Sequence, residues 1–224
     1  MSTDPYSQDG VLKNKFGETD PKKLEILEKR STIRGWIKLQ NELIATPNLN
    51  LDTALIKKIH KKLFEEVYDW AGEYRTVNIV KGKTMFANAL YVPAALEDLV
   101  TKLNRDITSK SITANNISGK LAYYYGELNM IHPFREGNGR TQKIFIEKVA
   151  DNLGYSLQLE KVDSKKLLEV TIESVNGTGR PLKKVFEEVL VTKHFKSKSD
   201  QPQINSKSVT STNIIKKNSY DLER

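Results

Sequence analysis

The stretch His132–Arg140, which reads HPFREGNGR, is the most informative part of this 224-residue sequence. It lies between an apolar helical pattern that ends near Ile131 and another that begins near Gly139. Pro133 prevents the first helix from continuing, and two glycines allow a tight loop whose backbone amides can point outward. A loop that enters a helix N-terminus attracts anions, because unpaired N–H groups and the helix dipole both favour negative charge. The stretch therefore predicts an anion site between two helices.

The side chains in and after this loop are suited to phosphate chemistry. Arg140 and Lys143 are three residues apart on one helix face and could contact the outer phosphates of a nucleotide. Glu136 is the one carboxylate of the loop and could hold Mg²⁺, which prefers oxygen ligands. His132 titrates near neutral pH and is a natural general base. An isolated loop histidine or Gly-x-Gly turn is usually structural, but the combination favours a nucleotide-dependent enzyme.

Helical patterns on both sides of the loop predict a mostly helical fold. Asp20-Pro21 has the form of a helix start, with a break or bend expected near Gly35, and Asp52 can cap a second helix. The apolar spacing predicts further helices at about 92–108, 117–131, 139–153, from 163 or 164 onward, and at about 181–193.

One β-hairpin interrupts these helices. Residues 77–86 carry the only convincing strand pattern, on both sides of a Lys-Gly-Lys turn at 81–83. The predicted fold class is therefore all-α with one small β-hairpin. We expect a lead segment at 1–19, one domain at 20–195, and a polar, disordered tail or linker at 196–224.

The composition excludes several classes of protein. Apolar residues make up 38% of the chain, and no apolar run approaches the ~20 residues of a membrane helix. The net charge of +8 comes mostly from lysines at polar helix positions and in the tail, so no nucleic-acid partner is expected. The N-terminus lacks the pattern of a secretory signal. Without cysteine and with three widely spaced histidines, no zinc site is expected, and His60 and His194 are interpreted as surface or packing residues.

The loop resembles the signature of the Fic family, His-x-Phe-x-Asp/Glu-Gly-Asn-Gly-Arg-x-x-Arg. Upstream, Asp69–Arg75 (DWAGEYR) resembles the family's approach to a hairpin called the flap. The opening residues Asp4-Pro5-Tyr6 and Leu12–Gly17 (LKNKFG) resemble the start of bacterial Fic toxins and type IV secretion effectors. The resemblance covers about residues 4–193.

This resemblance implies a protein adenylyltransferase, which transfers AMP from ATP, with Mg²⁺, to a Tyr, Thr or Ser hydroxyl of a target protein. His132 would be the catalytic base, Glu136 would hold the metal, and Phe134 would anchor the loop in the core. The implied nucleotide- or anion-binding residues are Arg135, Gly137, Asn138, Gly139, Arg140 and Lys143.

The resemblance also implies that the hairpin is a flap that docks an extended target segment by strand addition. The implied docking residues are Val77, Asn78, Ile79, Val80, Lys81, Gly82 and Phe86. The sequence leaves two interpretations of Phe86 equally open. It could clamp the target, or it could pack the hairpin onto the helices together with Met85.

Two departures from the family pattern affect the expected function. Lys143 stands where the family has a second arginine, and lysine lacks the planar fork with which arginine grips phosphate. The sequence also lacks the inhibitory motif Ser/Thr-x-x-x-Glu-Gly/Asn, so a small antitoxin acting in trans is expected. Both the bacterial cytoplasm and delivery into a host cell are open as locations. The alternatives are another phosphate-containing donor, removal of AMP, or a catalytically weak binding module.

Overall fold

The computed structural model describes residues 4–45, 50–177 and 179–193. Within them the helices are α1 Pro21–Ala45, α2 Thr53–Phe64, α3 Val92–Thr108, α4 Ile117–Ile131, α5 Asn138–Asn152, α6 Ser164–Asn176 and α7 Arg180–Val189. The strands are β1 Ser7–Gln8, β2 Val11–Leu12, β3 Val80–Lys81, β4 Thr84–Met85, β5 Tyr155–Leu157 and β6 Leu190–Thr192. The prediction of a mostly helical fold with a small hairpin is confirmed.

Three helices begin at aspartate caps, at positions where the sequence predicted helix starts. Asp20, Asp52 and Asp163 each accept hydrogen bonds from backbone N–H groups two or three residues further on. Such caps satisfy N–H groups that have no partner inside the helix. The predicted starts of α1, α2 and α6 are therefore confirmed.

The core forms around α5, which packs on α2 and on α4. Helix α1 covers α2, α3 and α7 pack on α4, and α6 packs on α7. Large side chains that are fully buried fill this core, among them Phe64, Tyr68, Phe134, Phe145 and Phe186. The loop between α4 and α5 therefore starts in the middle of the core. Phe134, its predicted anchor, is fully buried.

Helix α1 is continuous over 25 residues, so the break considered near Gly35 does not occur. Gly35 instead marks the place where α1 lies closest to α2. A Cβ atom at this position would be 2.1 Å from the carbonyl oxygen of Lys62. The glycine therefore serves close packing of two helices and not chain flexibility.

The predicted hairpin exists, but it is shorter than expected. Its strands β3 and β4 pair Val80 with Met85 and Lys81 with Thr84, and the turn is Gly82-Lys83. Residues 77–79, predicted as strand, are irregular.

Two further strand pairs were not predicted. Strands β1 and β2 pair across Asp9-Gly10, where both residues have positive φ, as in a type I′ turn. Strands β5 and β6 pair residues 155–157 with 190–192. The helix predicted at 181–193 was therefore wrong at its end, because its last residues form a long-range ladder that local periodicity cannot reveal.

None of the helices in these described ranges is long and apolar enough to cross a membrane. The predicted tail at 196–224 and His194 lie outside the described residues. The interpretation of that tail therefore stays a prediction.

Gly35→Ala is expected to destabilise the protein by about 1–3 kcal/mol, since the new methyl group overlaps the backbone of α2. Urea unfolding of the purified protein measures this change. The matched control is Gly126→Ala in α4, where a Cβ atom meets nothing within 4 Å. It should stabilise by about 0.4–1 kcal/mol, as the unfolded chain loses freedom. Equal stability of the two variants would contradict this interpretation of Gly35.

Candidate active site

The loop between α4 and α5 is closed by the side chain of Asn138. The Asn138 Oδ1 atom accepts from the backbone N–H of Phe134 at 2.8 Å, and Asn138 Nδ2 donates to the Phe134 carbonyl at 2.7 Å. The predicted contact of Asn138 with nucleotide stays a prediction. Its visible role is to hold both ends of a four-residue turn.

Gly137 is required by both its backbone and its surroundings. Its φ is +79°, and a Cβ atom would lie 2.3 Å from the ring of Phe64. Helix α5 begins at the next residue, so its first backbone N–H groups lack intrahelical partners. The loop therefore brings a helix N-terminus, suited to anions, next to His132 and Glu136.

His60, on α2, supports this loop, a role that was not predicted from the sequence. Its Nδ1 accepts from Gly72 N–H at 2.8 Å, so Nε2 carries the proton and donates to the Glu136 carbonyl at 2.9 Å. The ring is fully buried and stacks on Phe134 at 3.8 Å. Burial lowers its pKa from 6.5 to about 3. A histidine on the apolar stripe of α2, in register with Ile56, was the available signal.

His132 has one ring nitrogen engaged and one unpartnered. It ends α4 in the left-handed region, and its Nδ1 donates to the Asn129 carbonyl at 3.2 Å. The Nε2 atom, which therefore keeps its lone pair, is buried and has no partner within the described part of the chain. Burial and the nearby Lys81 lower the pKa of His132 from 6.5 to about 4. The imidazole is thus neutral at pH 7 and able to accept a proton at Nε2.

Glu136 is ionised beside His132. Burial by itself would raise its pKa, but Lys81, the Gly137 N–H and Arg140 outweigh burial and lower it. Its Oε1 accepts from Gly137 N–H at 2.9 Å, and its Oε2 lies 3.9 Å from Lys81 Nζ. Lys81 thus brings a positive charge from the hairpin into the site.

The predicted metal site fits Mg²⁺ held jointly with substrate phosphates. Among the residues described, no three His, Cys, Asp or Glu side chains are grouped so as to hold a metal ion. The Glu136 side chain is about one-third exposed, at 34%, and offers an ionised oxygen. Mg²⁺ is commonly bound by one or two carboxylates together with phosphate oxygens and waters.

Both arginines of the stretch His132–Arg140 pair with carboxylates from the N-terminal part of the chain. Arg140 Nη2 donates to Glu28 Oε1 at 2.6 Å, and its guanidinium lies 4.6 Å from the Phe64 ring centre. Arg135 donates to Asp4 Oδ2 through Nε and Nη2 at 3.0 and 2.6 Å. Lys143, the third predicted cation, lies one turn further along α5. Neither carboxylate was predicted from the sequence as part of the site.

Arg75 joins the hairpin to the loop. Its guanidinium is buried and donates to the carbonyls of His132 at 2.7 Å, Val77 at 2.6 Å and Ile131 at 3.2 Å, and also to that of Ala87. The first and last residues of the hairpin segment are therefore tied to the end of α4. Its place in the DWAGEYR motif was the only sequence signal.

The predicted docking residues divide into exposed and buried groups. Phe86 is buried and stacks on His132 at 3.8 Å, whereas Met85 is 73% exposed, so of the two residues in the packing interpretation only Phe86 is packed. Ile79 is buried as well. The predicted docking residues that are exposed are Asn78, Val80, Lys81 and Gly82, with Val77 half-buried.

Comparison with known proteins agrees with this geometry. The model of the Fic/DOC family matches residues 50–150. Over 139 residues the chain is 34% identical to the probable protein adenylyltransferase y4lH of Sinorhizobium fredii, covering 62% of this chain and 72% of that protein. This chain belongs to the Fic/DOC family.

Other Fic proteins match over more of the chain. Protein adenylyltransferase VbhT of Bartonella schoenbuchensis is 37% identical over 178 residues. These residues are 79% of this chain but only 37% of VbhT, so the chain spans just over a third of that relative. The structure of BepC, a VirB-translocated effector of Bartonella tribocorum with bound AMPPNP, is 25% identical. It superposes with a TM-score of 0.75 over 84% of this chain and 97% of BepC.

His60→Phe is expected to weaken the acid sensitivity of folding. Because the pKa of His60 is about 3 in the folded protein and 6.5 ordinarily, the unfolded chain binds the proton first as pH falls. Wild-type stability should therefore fall between about pH 6 and 4 by about 1.4 kcal/mol per pH unit more than that of the variant. Urea unfolding at several pH values measures this slope.

At pH 7 the same variant should be less stable, because the Gly72 N–H and the Glu136 carbonyl lose their buried partner. Tyr74→Phe, in the same aromatic cluster, is the control and should keep the wild-type slope. An unchanged slope in His60→Phe would show that His60 already takes up its proton in the folded state.

Proposed function

We propose that this chain is a protein adenylyltransferase that transfers AMP from ATP to a Tyr, Thr or Ser hydroxyl of a target protein. The observation that carries the proposal is the unpartnered Nε2 of a neutral His132 beside the N-terminus of α5. A base and an anion site adjacent to each other suit a reaction in which a hydroxyl attacks a phosphate. The names of y4lH and VbhT as adenylyltransferases support this assignment.

In the proposed reaction His132 is the general base. Its Nε2 takes the proton of the target hydroxyl while the hydroxyl oxygen bonds to the α-phosphorus. The bond from that phosphorus to the oxygen bridging to the β-phosphorus breaks, and pyrophosphate leaves. The stack on Phe86 and the hydrogen bond to Asn129 fix the ring in the tautomer this step requires.

Charge and positioning supply the rest of the rate enhancement. The backbone of Gly137, Asn138 and Gly139 would receive the α- and β-phosphates, and Arg140 would neutralise the leaving pyrophosphate. Arg135 and Lys143 are the further cations proposed to bind nucleotide. That BepC was solved with bound AMPPNP supports a nucleotide as the ligand of this loop.

Glu136 is the residue proposed to hold Mg²⁺. When bound, the ion would offset the negative charge of the phosphates and so favour departure of the pyrophosphate. The low pKa of Glu136 keeps the carboxylate in the ionised form that a metal needs. Lys81 Nζ, 3.9 Å from Glu136 Oε2, partly offsets the negative charge of this carboxylate.

The hairpin is proposed to dock the target as an added strand. Val80–Gly82 is exposed, and Arg75 anchors the hairpin to the carbonyl of His132 itself. A target segment paired along this strand would thus be held at a fixed distance from the catalytic base.

Lys143 keeps a rival function open, a catalytically weak member that mainly binds partners. A Fic enzyme with another phosphate-containing donor, or one that removes AMP, is the rival within the same chemistry. A role as bacterial toxin or host-directed effector is proposed, supported by the effector relatives. The small antitoxin also stays a proposal, and its test is suppression of activity by the product of a neighbouring small gene.

Incubation with Mg²⁺ and ATP labelled at the α-phosphate is expected to label protein in a cell lysate, and His132→Ala should abolish this by at least about 100-fold. Bacterial and animal-cell lysates run in parallel distinguish toxin from effector by the lysate that carries the labelled band. Label at the γ-phosphate should not transfer.

If the wild type labels no protein but Lys143→Arg does, Lys143 is the cause of the weak activity. Silence of both variants in both lysates would contradict AMP transfer and favour the binding module or another donor.

The pH profile of kcat/KM should have its acid limb well below pH 6.5, because the neutral form of His132 predominates above a pKa of about 4. Lys81→Ala should move the limb to higher pH, since Lys81 lowers the pKa of His132. Lys83→Ala, an exposed lysine of the same turn, is the matched control and should leave the limb in place. Tryptophan fluorescence at each pH verifies that the protein is folded. An acid limb near pH 6.5 would contradict the conclusion that burial lowers the pKa of His132.

A further inference from the structure

Glu28, on the N-terminal helix α1, is in direct contact with the active-site arginine. Its Oε1 accepts from Arg140 Nη2 at 2.6 Å, across 112 residues of sequence. The two side chains are 13% and 9% exposed, so the ion pair is largely shielded from water. Charge-assisted hydrogen bonds in such surroundings are among the stronger ones in proteins.

The other carboxylate oxygen of Glu28 is also engaged. Its Oε2 accepts from the Tyr68 hydroxyl. Burial and the neighbouring Glu28 raise the pKa of Tyr68, so the phenol stays protonated and remains a donor. The Tyr68 ring is itself held by a stack on Trp70 at 4.3 Å. Glu28 is therefore fixed on both of its oxygens and cannot readily adopt another rotamer.

The guanidinium of Arg140 is thereby constrained from two directions. The guanidinium carbon lies over the Phe64 ring, 4.6 Å from its centre, and Glu28 binds Nη2. Arginine has a rigid planar fork of five N–H donors, so holding the guanidinium over a ring and binding one of its nitrogens restricts the directions of the remaining donors.

We propose that Glu28 is a positioning residue for Arg140 and that α1 is thereby a functional part of the active site. The proposal rests on the proposed function, in which Arg140 contacts the phosphates of ATP. Glu28 orients the guanidinium before nucleotide arrives, so that binding does not have to immobilise a long, flexible side chain. Tyr68 serves the same purpose one step further away, by orienting Glu28.

Simple electrostatics predicts the opposite effect, which makes the proposal testable. A carboxylate 2.6 Å from Arg140 opposes the approach of phosphate, so removing its charge should strengthen ATP binding if charge alone mattered. A brake that occupies Arg140 until ATP displaces it would give the same gain. Positioning predicts a loss despite the more favourable charge.

The experiment measures kcat and KM for ATP in the labelling reaction and the Kd of Mg–ATP by calorimetry. Glu28→Ala is expected to lower kcat/KM for ATP about 10- to 100-fold, since a misplacement of about 1 Å can cost about 100-fold. Glu28→Gln keeps an oxygen acceptor for Nη2 and should recover most of this loss. Tyr68→Phe should give an intermediate loss and decides the matter if Glu28→Ala does not fold.

Glu66→Gln is the matched control. Glu66 also pairs with α1, through Arg34 at 3.0 Å and Lys38 at 2.8 Å, but these pairs are more exposed and include no residue of the loop. It should leave kcat and KM unchanged. If Glu66→Gln lowers kcat/KM for ATP as much as Glu28→Ala does, Glu28 only anchors α1 to the domain, and the proposal is overturned.

A nucleotide-free measurement separates this proposal from the proposed function. The NMR order parameter of the Arg140 Nε–H should fall in Glu28→Ala and stay near the wild-type value in Glu28→Gln. If the order parameter falls in Glu28→Ala while the wild type transfers no AMP, the positioning role stands and only the proposed reaction is rejected. An unchanged order parameter, or a gain in ATP affinity in Glu28→Ala, would overturn positioning whatever the enzyme does.

Discussion

The structure depends on satisfying the backbone of an irregular loop that starts in the middle of the core. Peptide groups buried away from water must find partners, and a loop cannot supply them from within itself as a helix does. Here three side chains provide them. Asn138 closes the turn on Phe134, His60 donates to the carbonyl of Glu136, and Arg75 donates to that of His132. The active-site geometry is a consequence of this pairing.

The same burial sets the chemistry of the two histidines near the loop. Both are kept neutral by loss of contact with water, with pKa values of about 3 for His60 and about 4 for His132. Their difference lies in hydrogen bonding. His60 uses both ring nitrogens to hold backbone, whereas His132 uses only Nδ1, and its Nε2 has no partner among the residues that the structure describes. The two rings thus share burial and differ in the number of nitrogens that are hydrogen-bonded.

The site also extends beyond the segment that defines the family. The family model matches residues 50–150. Arg135 and Arg140 nevertheless pair with carboxylates that precede residue 50, Asp4 and Glu28. Tyr6 adds a further link, since its hydroxyl accepts from the backbone N–H of Thr76 at the base of the hairpin. The N-terminal part of the chain is therefore attached both to the loop region and to the hairpin.

The sequence alone determined the helices, their aspartate caps, the central hairpin and the loop HPFREGNGR, because these depend on local spacing, capping and turn residues. It also indicated His132, Glu136 and Arg140 through their combination in one short stretch. The partners Glu28, His60 and Arg75 were decided only by the tertiary structure, as was the pairing of 155–157 with 190–192. These contacts join residues far apart in the chain, and no local pattern records which distant polar group will satisfy a buried one. The neutral state of His132 belongs to the same class, since burial of the ring is a property of the packed fold.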